Sequence, residues 1–412
     1  MAEARPKSPT DPARGRHWLL MGLLVASICI NYVDRANLST AAEDLSRELT
    51  LDPKQMGLLL SAFFWTYMLL QIPVGWLIDR VNVYWVYAGG YFIWSAATAL
   101  TGGANSFNVL FGLRLLLGVA ESVAYPSYSK IIAWTFRDED KGLPNALIDA
   151  GSKLGPFLGV LIGGSIVAGY GWRVMFIAIG GVSMVWLIPW VYVIRRETGH
   201  ASRKTEGGPG VLQIFGKAAA WGTFIGLLGS NYAWYFMLTW FPSYLRRERH
   251  FSTEAMAVVG SIPFLAVAAS AVFGGWLSDF LIRRGASATL VRKGFVMGGL
   301  VFATLLFPAA IVSNPNFAMA LMIIACFSYG FYTSNVWAVT QCLAGTSAAG
   351  KWTGIQNTFG NLSGILAPYF TGWIVAETHS FLGAFGAACG ALLVSALSYL
   401  LLVRRVAPIQ WE

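Results

Sequence analysis

The sequence predicts an all-α membrane protein, with twelve transmembrane helices in two pseudo-symmetric six-helix bundles. Three observations carry this expectation. Hydrophobic residues make up 56% of the 412 residues and charged ones only 12%, about half the charge fraction of soluble domains. Apolar stretches long enough to span a bilayer, about 17–25 residues each, recur along the whole chain. One short motif, Gly-Trp-Leu-x-Asp, ends such a stretch twice, at Gly75–Asp79 and again at Gly275–Asp279.

Counting apolar stretches places helices near residues 17–38, 55–79, 84–104, 107–131, 142–169 and 172–195 in the first half. The second half gives 217–245, 253–281, 290–312, 316–343, 351–376 and 380–403. Five segments follow: a polar tail 1–16, a bundle 17–196, a linker 197–216 rich in glycine and charge, a second bundle 217–404, and a tail 405–412. The first apolar run is too long for a signal h-region, so it reads as a helix and not as a cleaved leader. The repeat reaches beyond its strongest copy, because Gly151-Ser152-Lys153-Leu154-Gly155 is echoed by Gly360-Asn361-Leu362-Ser363-Gly364. Two halves repeated in parallel place a substrate site between them, near mid-membrane.

The formal net charge of +9 raises the question of a nucleic-acid partner, and its distribution answers it. With the amino terminus inside, inner segments hold 20 of the 29 Lys and Arg residues and outer loops hold 6. That asymmetry satisfies the positive-inside rule, predicts cytoplasmic termini, and accounts for the charge without nucleic acid. Cys29, Cys326, Cys342 and Cys389 fall in apolar runs without metal-ligand spacing, and the four His residues suggest no metal site. No cofactor is expected. No nucleophile elbow or phosphate loop points to an enzyme.

The charges inside apolar runs carry the functional reading. Asp34 and Arg35 lie in the first helix, Arg114 and Glu121 in the fourth, and Lys153 in the fifth. Ionisable side chains at membrane depth are costly and read as functional by default; the alternative is an ion pair that only helps helices pack. The spacing of Arg114, Gly118 and Glu121 puts them on one helical stripe, and Gly118 leaves room beside it for a helix or a ligand.

Several motifs resemble one family. Gly75-x-x-x-Asp79-Arg80 resembles the loop-two signature of the major facilitator superfamily, although Asn82 and Val83-Tyr84 depart from its second part. Asn31-Tyr32-Val33-Asp34-Arg35-x-Asn37-Leu38, Phe63-Phe64-Trp65-x-Tyr67, Arg114-x-x-x-Gly118-x-x-Glu121 and Trp240-Phe241-Pro242 are similar to its anion:cation symporter branch. That branch includes bacterial galactonate, glucarate, hexuronate and tartrate carriers and is similar to vesicular glutamate and sialic-acid carriers. The resemblance implies the major facilitator fold, proton coupling at Asp34 and Glu121, and substrate contact by Arg35. It also implies a monomer in the cell inner membrane.

Physical reasoning fits that expectation. Asp34, Arg35, Arg114, Glu121 and Lys153 sum to a formal +1, so an organic anion would cancel the charge and a proton on a carboxylate would restore it. Arg114 is either an anion ligand or the partner of Glu121, switchable or permanent, and Lys153 is a further anion contact. Tyr67, Asn231, Tyr232, Tyr235, Ser334, Asn335, Gln356, Asn357 and Asn361 are neutral candidates suited to a polyhydroxylated acid. Tyr67 and Asn361 are favoured, with Ser152 as the counterpart of Asn361. Gly75 should allow close helix approach, while Asp79, Arg80 and Asp279 should latch the halves on the cytoplasmic side. Gly155-Pro156-x-x-Gly159 reads as a glycine-lined bend. The expected function is proton-coupled symport of a sugar acid by alternating access. An exchanger or facilitator of the same fold, for a dicarboxylate or an aromatic acid, is the alternative.

Overall fold

The computed structural model describes residues 12–136, 142–195 and 209–411, and the side chain of Asp79 lies outside the described residues. So do tail residues 1–11 and linker residues 197–208. The first half contains α1 (Pro12–Glu48), α2 (Pro53–Arg80), α3 (Val83–Thr101), α4 (Phe107–Glu121), α5 (Ala124–Thr135), α6 (Gly142–Leu158), α7 (Gly164–Val185) and α8 (Leu187–Ile194). The second half contains α9 (Val211–Phe215), α10 (Ala218–Arg247), α11 (Thr253–Arg283), α12 (Ala288–Ala303), α13 (Leu306–Ile311), α14 (Pro315–Thr378) and α15 (Leu382–Leu401).

These helices make twelve membrane-length segments because local chemistry joins and breaks them. Asp52 caps α2 in a box with Gln55, and Ser106 caps α4. The fourth span breaks after Glu121, where Pro126 lacks the N–H that the Ser122 carbonyl would need. Spans five and six run from α6 through a π-helical stretch, Gly159–Gly163, into α7 and α8. Their boundary is Gly171, at φ 84°, a left-handed conformation that favours glycine. Spans ten and eleven are the two arms of α14, separated at Gly345 with φ 65°. Seven helical runs among the described residues are long and apolar enough to cross a membrane on those grounds alone; the others dilute their apolar residues with Tyr, Trp and amides.

One expected boundary changes, and two connecting segments carry contacts of their own. The first helix continues ten residues beyond 38, to Glu48, because its polar end is held by partners on other helices. The linker ends in the short helix α9, whose Ile214 is buried. The carboxy tail is docked: Ile409 N–H donates to Leu343 O at 2.9 Å and Trp411 Nε1 donates to Ala344 O at 3.2 Å. Both carbonyls precede the Gly345 break, where a helix leaves acceptors without internal donors.

Glycines set the closest crossings. A Cβ on Gly155 would lie 2.3 Å from Tyr32 Cβ, and one on Gly118 would lie 2.2 Å from the Phe63 carbonyl. Gly155, next to Pro156 in α6, therefore lies directly against α1. The halves meet where α2 crosses the second arm of α14, at Gly57 and Gly372, and where α7 meets α11, at Gly164 and Ala257.

The start of α1 and the end of α15 lie at one face of the bundle, called here the terminal face; α1 ends at the opposite, distal face. On the distal face, Arg246 pairs with Asp44 at 2.5 Å, Arg247 with Glu43 at 2.7 Å and Lys54 with Glu377 at 2.6 Å. Each of these pairs joins the two halves. Nearer the terminal face, Asn357 Nδ2 donates across the halves to Gln71 Oε1 at 3.4 Å. The halves are thus bridged by ion pairs at the distal face.

Candidate transport site

The charged residues of the first half meet near the middle of the bundle. Arg35 on α1 and Glu121 on α4 are 3% and 0% exposed, and Arg35 Nε donates to Glu121 Oε2 at 3.0 Å. Three rings surround this guanidinium: Tyr32, Phe63 and Tyr67, with centroids 4.7, 4.8 and 4.6 Å away. Stacking and the ion pair together hold a charge that would otherwise be costly at this depth. Arg114 lies over the other side of the Phe63 cluster, 5.6 Å from that ring.

Asp34 faces elsewhere. Consecutive helical residues point about 100° apart, so Arg35 faces the cross-half space while Asp34 faces inward, towards Thr98 of α3. Asn37 Nδ2 donates to Asp34 Oδ1 at 3.3 Å. No ion pair joins Asp34 to Arg35 among the described residues, so neighbouring in sequence does not make them partners.

Several expectations about partners change. Glu121 pairs with Arg35 and not with Arg114, because both arginines lie within reach but only Arg35 aims its Nε at the carboxylate. Lys153 sits 3.8 Å from Asp149, one turn earlier on α6, and 5.2 Å from the Trp234 ring of the second half. Counting Asp149 removes the expected surplus of +1, so the group is neutral. The acid four residues before Lys153 was the available signal. Ser152 is buried and donates to the Asp149 carbonyl on its own helix.

The second half brings Tyr235 and Asn361 to the same region. Tyr235 packs its ring 4.5 Å from Phe64, and its hydroxyl donates to Asn361 Oδ1 at 3.3 Å. Asn335 is elsewhere: its Oδ1 accepts from Ser278 of α11 at 2.8 Å and its Nδ2 donates to Phe331 O. It braces the second half and makes no contact with the Arg35 group. Gln356 likewise bonds Thr340, and Asn231 bonds Gly360.

Of the expected latch residues, the side chain of Asp79 lies outside the described residues. Nothing lies within 4 Å of where a Gly75 Cβ would stand, so Gly75 is not a point of close approach here. Asp279 pairs within its own half, with Arg292 at 3.9 Å, and Arg80 is exposed.

This geometry has counterparts among known proteins. The model of the Major Facilitator Superfamily matches residues 24–368. The probable galactarate/D-glucarate transporters GarP and GudP of Escherichia coli K12 are 31% and 32% identical to this chain. The alignments cover 95% and 96% of it, and 96% and 95% of those proteins. The D-galactonate transporter of Escherichia coli O6:H1 is 30% identical over 97% of this chain and 98% of its own. In fold, a bacterial homologue of the human lysosomal transporter Spinster, in an inward-facing and occupied conformation, superposes with a TM-score of 0.80. It shares 18% identity and covers 96% of this chain and 98% of its own. The chain belongs to the Major Facilitator Superfamily and is a membrane transporter with that family's twelve-helix fold.

Proposed function

We propose that this protein is a proton-coupled symporter of a sugar acid, working as a monomer in the cell inner membrane with both termini in the cytoplasm. The observation that carries the reading is the buried Arg35–Glu121 pair. Arg35 Nη2 and Glu121 Oε1 have no protein partner, so each group holds capacity for a second ligand. A substrate carboxylate arriving at Arg35 gains a charge-assisted bond and displaces Glu121. The displaced carboxylate, buried and without its cation, then favours the protonated form. Anion and proton thus bind together, and the pair re-forms after both leave. Asp34 acts as the second proton carrier.

The names of the relatives, galactarate, D-glucarate and D-galactonate transporters, support a polyhydroxylated acid. Tyr67, Tyr235 and Asn361 supply hydroxyl and amide groups of the kind that read hydroxylated chains, and Arg114 and Lys153 add positive charge for a second carboxylate. Ser152 and Asn335 carry less of this role, since both already bond within their own halves. With cytoplasmic termini, the bridged distal face is the outer gate and the conformation faces inward. Closure of the terminal face would bring Asp79 and Arg80 into play with the second half and release Asp279 from Arg292.

The test is uptake of radiolabelled galactarate into vesicles under an imposed proton gradient. Wild-type protein should accumulate it, and Glu121→Gln should keep counterflow but lose accumulation. Counterflow without accumulation in the wild type would instead establish an exchanger or a facilitator.

A further inference from the structure

We propose that the outer groove between α11, α12 and the first arm of α14 binds one anionic phospholipid, with an acyl chain in the groove and the phosphate at Arg283 and Arg284. The groove has a volume of 390 Å³, and Leu277, Gly294, Phe295, Gly298, Phe302 and Phe331 are among the residues that line it. Its shape follows from the glycines of α12. A Cβ on Gly299 would stand 2.7 Å from Tyr332 N, so this residue lets α12 pack closely on α14. A Cβ on Gly294 or Gly298 would meet nothing within 4 Å, so α12 presents bare backbone where the groove opens. Phe331, with ring centroids 6.2 Å from Phe273 and 5.5 Å from Phe295, adds an apolar wall.

The length of the groove suits a lipid tail. Its lining on α12 runs from Leu290 to Phe302, both exposed. At helical rise these residues are about 18 Å apart, close to one leaflet of a hydrocarbon core about 30 Å thick. The Leu290 end lies at the terminal face, where α11 ends and α12 begins.

That end is positively charged. Between residues 279 and 293 stand the basic residues Arg283, Arg284, Arg292 and Lys293, and the single acid Asp279. Asp279 is engaged with Arg292. Arg283 and Arg284 are exposed and pair with no acid among the described residues. Arg284 lies two turns beyond Leu277 on the same helical face. Its guanidinium stacks on Phe280, 4.3 Å from the ring, and Phe280 stacks on Trp276. Positive charge thus stands over the mouth of an apolar groove.

An acyl chain that carries a phosphate matches both features, because basic side chains at the membrane surface attract anionic lipid. A second copy of this chain matches only one of them. A two-fold interface sets a patch against itself, so the basic residues of one copy would meet those of the other. The site is independent of the transported substrate and of proton coupling.

Native mass spectrometry of the full chain tests the site. The protein is delipidated in detergent and titrated with palmitoyl-oleoyl phosphatidylglycerol, or with phosphatidylcholine of the same chains. The wild type should bind one phosphatidylglycerol at least about ten-fold more tightly than phosphatidylcholine, the order expected for two arginines near an anionic headgroup. Arg283→Gln combined with Arg284→Gln should bring the two lipids level. Gly298→Leu, whose added side chain enters open space, should weaken phosphatidylglycerol binding at least about five-fold with an unchanged melting temperature. A Gly298→Leu variant that binds phosphatidylglycerol as the wild type does overturns the proposal. So does a wild type without preference between the lipids, or an arginine double variant that keeps the preference. A dimer that Gly298→Leu dissociates also overturns it, because the groove would then hold a second copy.

Discussion

Arg35 is held by one carboxylate and three aromatic rings, which makes its identity hard to replace. Removing one member of a buried pair costs about 3–5 kcal/mol. Arg35→Ala should therefore lower transport by more than ~100-fold while leaving the amount of protein in the membrane unchanged, as immunoblotting of membranes would record. Arg35→Lys should restore little, because an ammonium offers neither the planar fork nor the stacking surface. Much of this site was legible in the sequence, since charges within apolar runs stand out. Which charges pair was not. Arg35 and Arg114 look equivalent as letters, and only the aim of the guanidinium assigns Glu121 to Arg35.

At the scale of elements, close crossings and breaks decide stability. Gly118 holds α4 against α2, and a Cβ there would be 2.2 Å from the Phe63 carbonyl and 2.3 Å from Thr66 Oγ1. Gly118→Ala should force these helices apart and cost about 1–3 kcal/mol, a typical overpacking penalty, seen as a lower melting temperature in detergent. Truncation after Pro408 should also destabilise, because it strips Leu343 and Ala344 of the donors supplied by Ile409 and Trp411. Increased hydrogen exchange confined to residues near Gly345 would record it. The twelve spans were readable because lipid demands long apolar runs. The outer end of α1 was not, because Glu43, Asp44 and Glu48 look like a loop until Arg247, Arg246 and Arg173 are seen to hold them.

For the whole molecule, the distal pairs set the balance between states. A ligand or bridge shifts a conformational equilibrium only by its differential energy in the two states. Arg246 and Arg247 contact α1 in this conformation, so replacing both by Ala should favour the state open at the distal face. Faster thiol labelling of a cysteine introduced at Asn361, assayed from the distal side, would measure the shift. The sequence only counts these arginines among six basic residues of one set of loops. All six in fact have partners: Arg47 with Asp44, Lys54 with Glu377, Arg173 with Glu48, Arg246 and Arg247 as above, and Arg249 with the Val312 carbonyl.

That distal bracing is unevenly shielded from water. The side chains of Lys54 and Glu377 are 51% and 52% exposed, whereas those of Arg246 and Asp44 are 13% and 25% exposed. Exposed charges are screened by salt over a Debye length of about 8 Å at physiological ionic strength, and buried ones much less. The medium at the distal face therefore acts on one brace and spares the other. Brine should loosen the Lys54 tether first and leave the Arg246 tether in place, so turnover should quicken modestly with salinity at the distal face. In Lys54→Ala that salt response should be lost.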